Sequence, residues 1–416
     1  MRWVELEIEQ KKPLDYKITI AKQVIDDALR VSVNPALAFS GGKDSTVLWH
    51  LIRQVKPDIL VIYGNTGVEF PECIKFTRNL ATDYQLNFHE TKLGKIDKPE
   101  YKYRGQCMIW QRLIKDNRIG EVLRPDGKLK SIDALERACP PDLADELVRR
   151  RLIWPEGTRK TFWYCVDQYG WPLLGKAWSR LKARRINIDT FLRFSTSNSD
   201  DPSLSKYYQI LKQAKISQAC CDIIKKEPSE NIQIKLGVDL IFKGLMAAES
   251  RSRTKNFLTR GYLFQGAEKA YLNNERIWHC QPLAVWTEDD IWAYIHRFSV
   301  PYSSLYDITY TAPDGTTQKI KRNGCLGCGT DILFANNHMS ILRRTHPKAW
   351  LSIMKQGMAH EIRNLQLAMR NGQMGFFDMF TANELIEMQP CIFDDLDGVG
   401  FREQGKDIEW DPEVRD

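Results

Sequence analysis

The sequence predicts an α/β fold: a doubly wound, mainly parallel sheet with a largely helical insertion and a helical C-terminal region. Three observations point there. Short apolar runs alternate with segments of helical periodicity near the start of the chain. A glycine pair sits where the first run passes into a helix. The alternation then breaks off over a long stretch and returns.

Each element follows in order. Ile20, Val24, Ile25, Ala28 and Leu29 recur at helical spacing, so Tyr16 to Arg30 reads as a helix. Asn34-Pro35 stops it, because proline holds the preceding residue out of the α region, and Ala36 to Phe39 forms a short buried strand. Ser40-Gly41-Gly42 turns the chain, and Val47, Leu48, Leu51, Ile52 and Val55 carry a helix onward from Asp44. Pro57-Asp58 breaks that helix, Ile59 to Tyr63 is a second strand, Pro71 opens another helix, and Leu86 to Leu93 forms a third strand. From about Gly94 to Asp201 the alternation dissolves into a stretch rich in Arg, Lys, Trp and Tyr. It resumes with a buried strand at Val238 to Lys243 and a helix from Thr287 to about His296, with Thr287 as N-cap and Asp290 three positions on. Beyond Cys328 the pattern is mainly helical. These breaks divide the chain into an N-terminal helix (1–30), a main domain (31–310) interrupted at about 94–201, and a C-terminal region (311–416).

Composition narrows the function classes. A chain of 416 residues, 43% hydrophobic and 27% charged, can bury a substantial core. No run of eighteen apolar residues offers a membrane helix, and MRWVELEIEQKK is too charged for a secretory signal. Ten cysteines without an export signal point to the reducing cytoplasm, where thiols serve metals or catalysis more than structural disulfides. Sixty basic against 53 acidic side chains give a mild excess of +7, which suits phosphate-bearing ligands and permits nucleic acid.

The strongest chemical signal is Ser40-Gly41-Gly42-Lys43-Asp44-Ser45, set between a buried strand and a helix. Two glycines permit a tight turn and remove side chains that would keep backbone N–H groups from phosphate oxygens. The helix N-terminus contributes partial positive charge and Lys43 a full one. Ser40 and Ser45 can donate hydroxyl hydrogen bonds, while Asp44 favours the helix dipole and can help hold a metal ion. A Walker A loop is excluded, since Asp44 follows the lysine and Ala38 occupies its earlier glycine position.

These residues match the SGGxDS signature, and the chain resembles the PP-loop ATP pyrophosphatases and the phosphoadenylyl-sulfate (PAPS) reductases. Ile59 to Glu72, with Asn65, Thr66 and Gly67, is similar to the reductase segment DTGxxFPET, Asn65 replacing Asp. VDLIFKGLMAAESRSR is similar to the segment with two arginines, Met246 standing where the first is expected and Arg253 where the second is. Pro282 to Asp307 resembles the PLxxWTxxDxWxYI block. The likeness covers about half the chain. It implies a Rossmann-like sheet of the adenine nucleotide alpha hydrolase type, with an adenine nucleotide (ATP, PAPS or adenylyl sulfate, APS) across the carboxyl ends of its strands. The implied binding residues are Ser40 to Ser45, Asn65, Thr66, Gly67 and Arg253, with Lys43 and Asp44 catalytic and Mg2+ accompanying ATP. No Glu-Cys-Gly-Leu-His segment, the reductases' nucleophile, is present; the nearest candidate, Cys391, is flanked by acids that blunt it.

Four further cysteines form two close pairs, Cys220-Cys221 and Cys325-x-x-Cys328. Such thiolates can hold a 4Fe-4S cluster or a zinc ion. Adjacent cysteines diverge, which suits the corners of a cluster better than a single ion, and CCxxxK before a distant CxxC resembles the cluster pattern of APS reductases. Zinc is the alternative, and unligated core or redox thiols the third reading. His279, His338 and His346 lack metal spacing and read as packing or surface residues.

Arg149-Arg150-Arg151, Arg159-Lys160 and RLKARR (180–185) interleave with Trp154, Phe162, Trp163, Tyr164, Trp171 and Trp178. Arginines neutralise phosphates and aromatic faces stack on bases, so 149–185 is a candidate DNA or tRNA surface; a helical subdomain with a basic face reads the same way. Three functions follow. The first is ATP pyrophosphatase or adenylation chemistry coupled to sulfur transfer, with a sulfur or electron donor protein as partner. The second is a PAPS or APS reductase releasing sulfite, and the third a nucleotide-binding regulator without turnover.

Overall fold

A computed structural model describes residues 3–125, 127, 129–173, 215–266, 276–332 and 336–371. The chain forms two compact units, each assembled from separated segments.

The first unit takes residues 1–92, 225–308 and 319–324. Its sheet contains β1 (Pro35–Phe39), β2 (Leu60–Tyr63), β3 (Phe88–Glu90), β4 (Leu240–Lys243), β5 (Leu263–Gln265) and β6 (Trp278–Cys280), in spatial order β3-β2-β1-β4-β6-β5. Every neighbouring pair is parallel except β5 with β6. The order reverses at β1, which has β2 on one side and β4 on the other. This is a doubly wound, mostly parallel sheet, as the alternation predicts. The third strand is shorter than expected, spanning Phe88–Glu90 of the apolar run.

Side-chain alternation builds a core on each face. Leu37, Phe39, Val61, Tyr63, Leu240 and Phe242 join the larger cluster with residues of helices Leu14–Arg30, Lys43–Ile52 and Glu288–Phe298. Ala36, Leu60, Ile62 and Ile241 form the opposite cluster, against Ile232 and Leu236. Such burial contributes roughly 25 cal/mol per Å2 of apolar surface. The helices at 3–30 belong to this core through Leu6, Ile18, Ala21, Ile25 and Ala28.

Thr287 caps its helix as predicted: its hydroxyl accepts from Asp290 N at 3.3 Å, and Asp290 accepts from Thr287 N at 2.7 Å. Asp290 has a second task, since Lys17, 2% exposed, donates to it at 2.6 Å and to Gln10 O at 2.6 Å. A buried ammonium is tolerated only when so paired.

The second unit takes residues 93–224, 309–318 and 325–416. Helices Tyr103–Lys115, Ile132–Arg137 and Pro141–Arg149 enclose a core of Ile109, Leu113, Leu135 and Leu147. Phe162–Tyr169 follows, capped by Thr161, and His338–Thr345, Pro347–Ile353 and Ala359–Asn371 complete the described helices. Among the described residues no helix is long and apolar enough to cross a membrane.

Candidate functional site

The 40–45 loop leaves the carboxyl end of β1, where the strand order reverses, the position at which open α/β sheets gather ligands. Gly41 has φ +70°, and a Cβ there would collide with the Thr77 hydroxyl. A Cβ on Gly42 would lie 2.7 Å from Asn323 Oδ1. Both glycines are therefore demanded, one by backbone conformation and crowding, the other by a packed neighbour.

The helix Lys43–Ile52 begins with its polar groups partly engaged. Lys43 N donates to the Tyr306 hydroxyl at 3.1 Å, and Thr46 N returns to Gly42 O at 3.0 Å. The amides of Gly41, Asp44 and Ser45 have no acceptor among the described residues. Ser45 Oγ donates to Gly42 O at 2.8 Å and lies 3.3 Å from Ser40 Oγ, so this hydroxyl first stabilises the turn. Lys43 is 4% exposed, against the simple expectation of a lysine offered to solvent. Its ammonium donates to Lys321 O at 3.0 Å and stands 3.6 Å from Asp44 and 3.5 Å from Glu288. Burial pushes the Asp44 carboxyl above the ordinary carboxylate range despite Lys43, and its Oδ1 accepts no hydrogen bond.

Asn65, Thr66 and Gly67 follow β2, beside the loop strand. Asn65 Oδ1 accepts from Gly67 N at 2.8 Å, Gly67 adopts φ +75°, and Asn65 Nδ2 reaches Glu90 at 2.5 Å. Thr66 is fully buried. Close by, Tyr63 donates to Glu69 at 2.6 Å; burial raises the Glu69 carboxyl to about 7. Beyond β4, Arg253 lies on helix Arg251–Arg260, capped by Ser250, and pairs with Glu249. Burial lowers its pKa, as does Arg322, while Asp44 raises it. Met246 is 3% exposed within the core, so no charge is restored at that position.

The sequence reading did not find Glu288, Tyr306, Lys321 or Asn323. Asn323 Nδ2 donates to Ser40 O at 2.8 Å. These residues reach the loop from 245 to 283 positions away, as Glu288, Tyr306, Lys321 and Asn323 are counted from Lys43 or Ser40. No local pattern marks such a contact, although Tyr306 lies inside the Pro282-to-Asp307 block.

In the second unit the two cysteine pairs lie within electrostatic reach of each other. Cys220 is buried, its thiol hydrogen-bonds that of Cys221, and its charge would be felt by Cys165 and Cys325. Cys328 lies within the field of Cys221, its amide donates to Cys325 O at 3.0 Å, and its sulfur lies 3.3 Å from Thr330 Oγ1. The Cys220–Cys221 hydrogen bond, followed by burial, pushes the Cys220 thiol far up; burial raises Cys328. Gly327 is pressed against the Phe162 ring, which explains a glycine inside the CxxC. Cys165, on helix Phe162–Tyr169, also lies within the field of Cys220. Among the described residues no group of three or more His, Cys, Asp or Glu side chains is placed to hold a metal ion. A cube-shaped cluster takes one thiolate per corner, so its ligands stand apart.

Three of the aromatic residues offered for base stacking, Phe162, Tyr164 and Trp171, lie in the interior instead. Phe162 and Trp163 pack edge-on against Trp171, and Lys102 covers Trp154 at 4.6 Å. Aromatic surface here is taken up by the protein's own interior, which excludes water more favourably than an open stacking face. Arg149, Arg150 and Arg151 are exposed, while Trp178, residues 180–185 and Cys391 lie outside the described residues.

Comparison with known proteins decides the family. The model of the phosphoadenosine phosphosulfate reductase domain matches residues 34–138 and 180–325. The chain belongs to this family. The phosphoadenosine 5'-phosphosulfate reductase of Aliivibrio fischeri is 25% identical over 138 residues, 33% of this chain and 49% of that protein. The adenosine 5'-phosphosulfate reductase of Staphylococcus epidermidis is 27% identical over 119 residues, 28% of this chain and 40% of that one. The chain thus spans about half the length, or less, of these relatives. A solved PAPS reductase from Candida auris aligns over 71% of this chain and 91% of its own, at 15% identity and a TM-score of 0.33. A superposition this loose carries no weight for function.

Proposed function

We propose that the chain is a PP-loop enzyme of sulfur metabolism that binds an adenine nucleotide on the 40–45 loop and acts at its α-phosphate. ATP would adenylate an acceptor oxygen, releasing pyrophosphate, and sulfur from a donor would then displace that oxygen, which leaves as part of AMP. The observation that carries this reading is the loop itself: free amides at Gly41, Asp44 and Ser45, at the start of a helix, where the sheet order reverses. Amides fixed in advance stabilise charge that grows on the phosphorus and leaving pyrophosphate without reorganising. Lys43 offers a full charge at the same place, Asp44 is the nearby carboxylate for Mg2+, and Asn65, Thr66, Gly67 and Arg253 complete the nucleotide site.

Cys220, Cys221, Cys325 and Cys328 suit a 4Fe-4S cluster, with zinc the alternative. Their thiols lie within electrostatic reach of one another, and the raised pKa values of Cys220 and Cys328 keep those two neutral until a metal displaces the protons. When bound, the cluster would supply a docking point for sulfur or an electron, delivered by a donor protein in the cytoplasm. Arg149 to Arg151, with Arg159 and Lys160, are the described basic residues of the segment that a DNA or tRNA acceptor would meet.

The reductase names of the relatives favour a second reading, release of sulfite from PAPS or APS. One assay divides them: protein with ATP and Mg2+, or with PAPS and a thiol reductant. Pyrophosphate supports the first reading, sulfite the second; neither product leaves a nucleotide-binding regulator.

A further inference from the structure

We infer that Arg322 is a phosphate-binding residue, forming with Arg253 an anion subsite beside the 40–45 loop for the next oxyanion group along the nucleotide's phosphate chain. This deepens the nucleotide reading and rests on it.

The backbone on both sides of Arg322 is fastened to the loop. Lys321 O accepts from Lys43 Nζ at 3.0 Å, and Asn323 Nδ2 donates to Ser40 O at 2.8 Å. Ile320 N donates to Ile308 O at 3.1 Å, which returns this segment to the neighbourhood of Tyr306. Arg322 Nη2 then reaches Glu249 O at 3.2 Å, at the start of the segment carrying Arg253. The two guanidinium groups are close enough for Arg322 to disfavour the charge on Arg253, which also feels Asp44.

Two like charges gathered at the mouth of a loop repel unless an anion lies between them. Glu249 answers Arg253 and also accepts from Met246 N at 3.2 Å. Among the described residues Arg322 makes no ion pair, and its one hydrogen bond uses a single donor of a five-donor fork. Lys43 is engaged with Lys321 O, Asp44 and Glu288. Arg322 therefore keeps donors to spare in a planar fork that matches a phosphate edge. The ligand class is a nucleoside di- or triphosphate, in preference to a monophosphate.

Calorimetric titration of the full chain with AMP, ADP and ATP, at one salt concentration, tests this. Wild type should bind ATP and ADP more tightly than AMP. R322Q should weaken ATP and ADP by about 10- to 100-fold while leaving AMP unchanged. R322K should recover part of the loss, since it keeps the charge but not the fork. Arg322 is exposed, so both variants should melt with wild type. Equal ATP affinity in wild type and R322Q, or an equal loss for AMP and ATP, overturns the subsite and leaves the loop reading standing. Wild-type protein that binds none of the three nucleotides overturns the loop reading, and the subsite falls with it.

Discussion

The two units solve the same problem, placing reactive groups at one point, by opposite routes. In the first, the proposed chemistry falls to six consecutive residues at the end of β1, braced by distant side chains such as Tyr306 and Asn323. In the second, no local segment suffices: Cys220-Cys221, Cys325-x-x-Cys328 and Cys165 come from three separate parts of the chain. A loop written in one stretch can tolerate drift elsewhere. A group assembled from three stretches depends on the packing of all of them.

The sharpest way to break the comparison is to remove one thiol. Cys220→Ser should abolish the iron of anaerobically purified protein, about four per chain in wild type, while nucleotide binding by the first unit persists. Colourless wild type with stoichiometric zinc would reverse the cluster assignment. Next in size is Asp290→Ala, which removes the carboxylate half of the capping box and leaves the buried Lys17 ammonium with Gln10 O alone; denaturant unfolding should show a loss of about 3–5 kcal/mol. Gly41→Ala should weaken adenine-nucleotide binding by about 100-fold, because φ +70° and the Thr77 contact both oppose a side chain. Unchanged affinity there would refute the loop as the binding element.

Acid and base offer a finer probe, with one group in each unit. Burial raises both Glu69 and Glu361 to about 7. Between their unfolded values, near 4.5, and about 7, the native state holds protons the unfolded chain has released. Each therefore contributes stability at low pH that is lost as pH rises through this window. Glu69→Gln or Glu361→Gln should flatten the fall in urea midpoint across it. Smallest of all, Arg150→Ala should change stability by no more than about 0.5 kcal/mol, since its pair with Glu146 is solvent-exposed.

Much of the first unit was legible because its signals are local. The glycine pair, Pro35, Pro71 and the Thr287–Asp290 box each act within a few residues of themselves. Lys43 was legible as a cation but not as a buried one, because Glu288 and Lys321 approach it through tertiary contacts. The aromatic residues of 154–171 show the reverse failure. Spacing marks Phe162, Tyr164 and Trp171 as large and apolar, but cannot say whether a ring faces a ligand or another ring. The four candidate cysteines are marked by type and spacing, whereas Cys165, a single cysteine on a helix, carries no spacing at all.

The strand order has a consequence for synthesis. β1 lies at the centre of its sheet, yet its second neighbour, β4, is encoded only after the whole 93–224 segment has been made. Until Leu240 emerges to meet Pro35, a nascent β1 presents an unpaired apolar margin to the ribosome surface and to other chains. A fragment ending at residue 224 should therefore clump when expressed alone, however well its nucleotide loop is written.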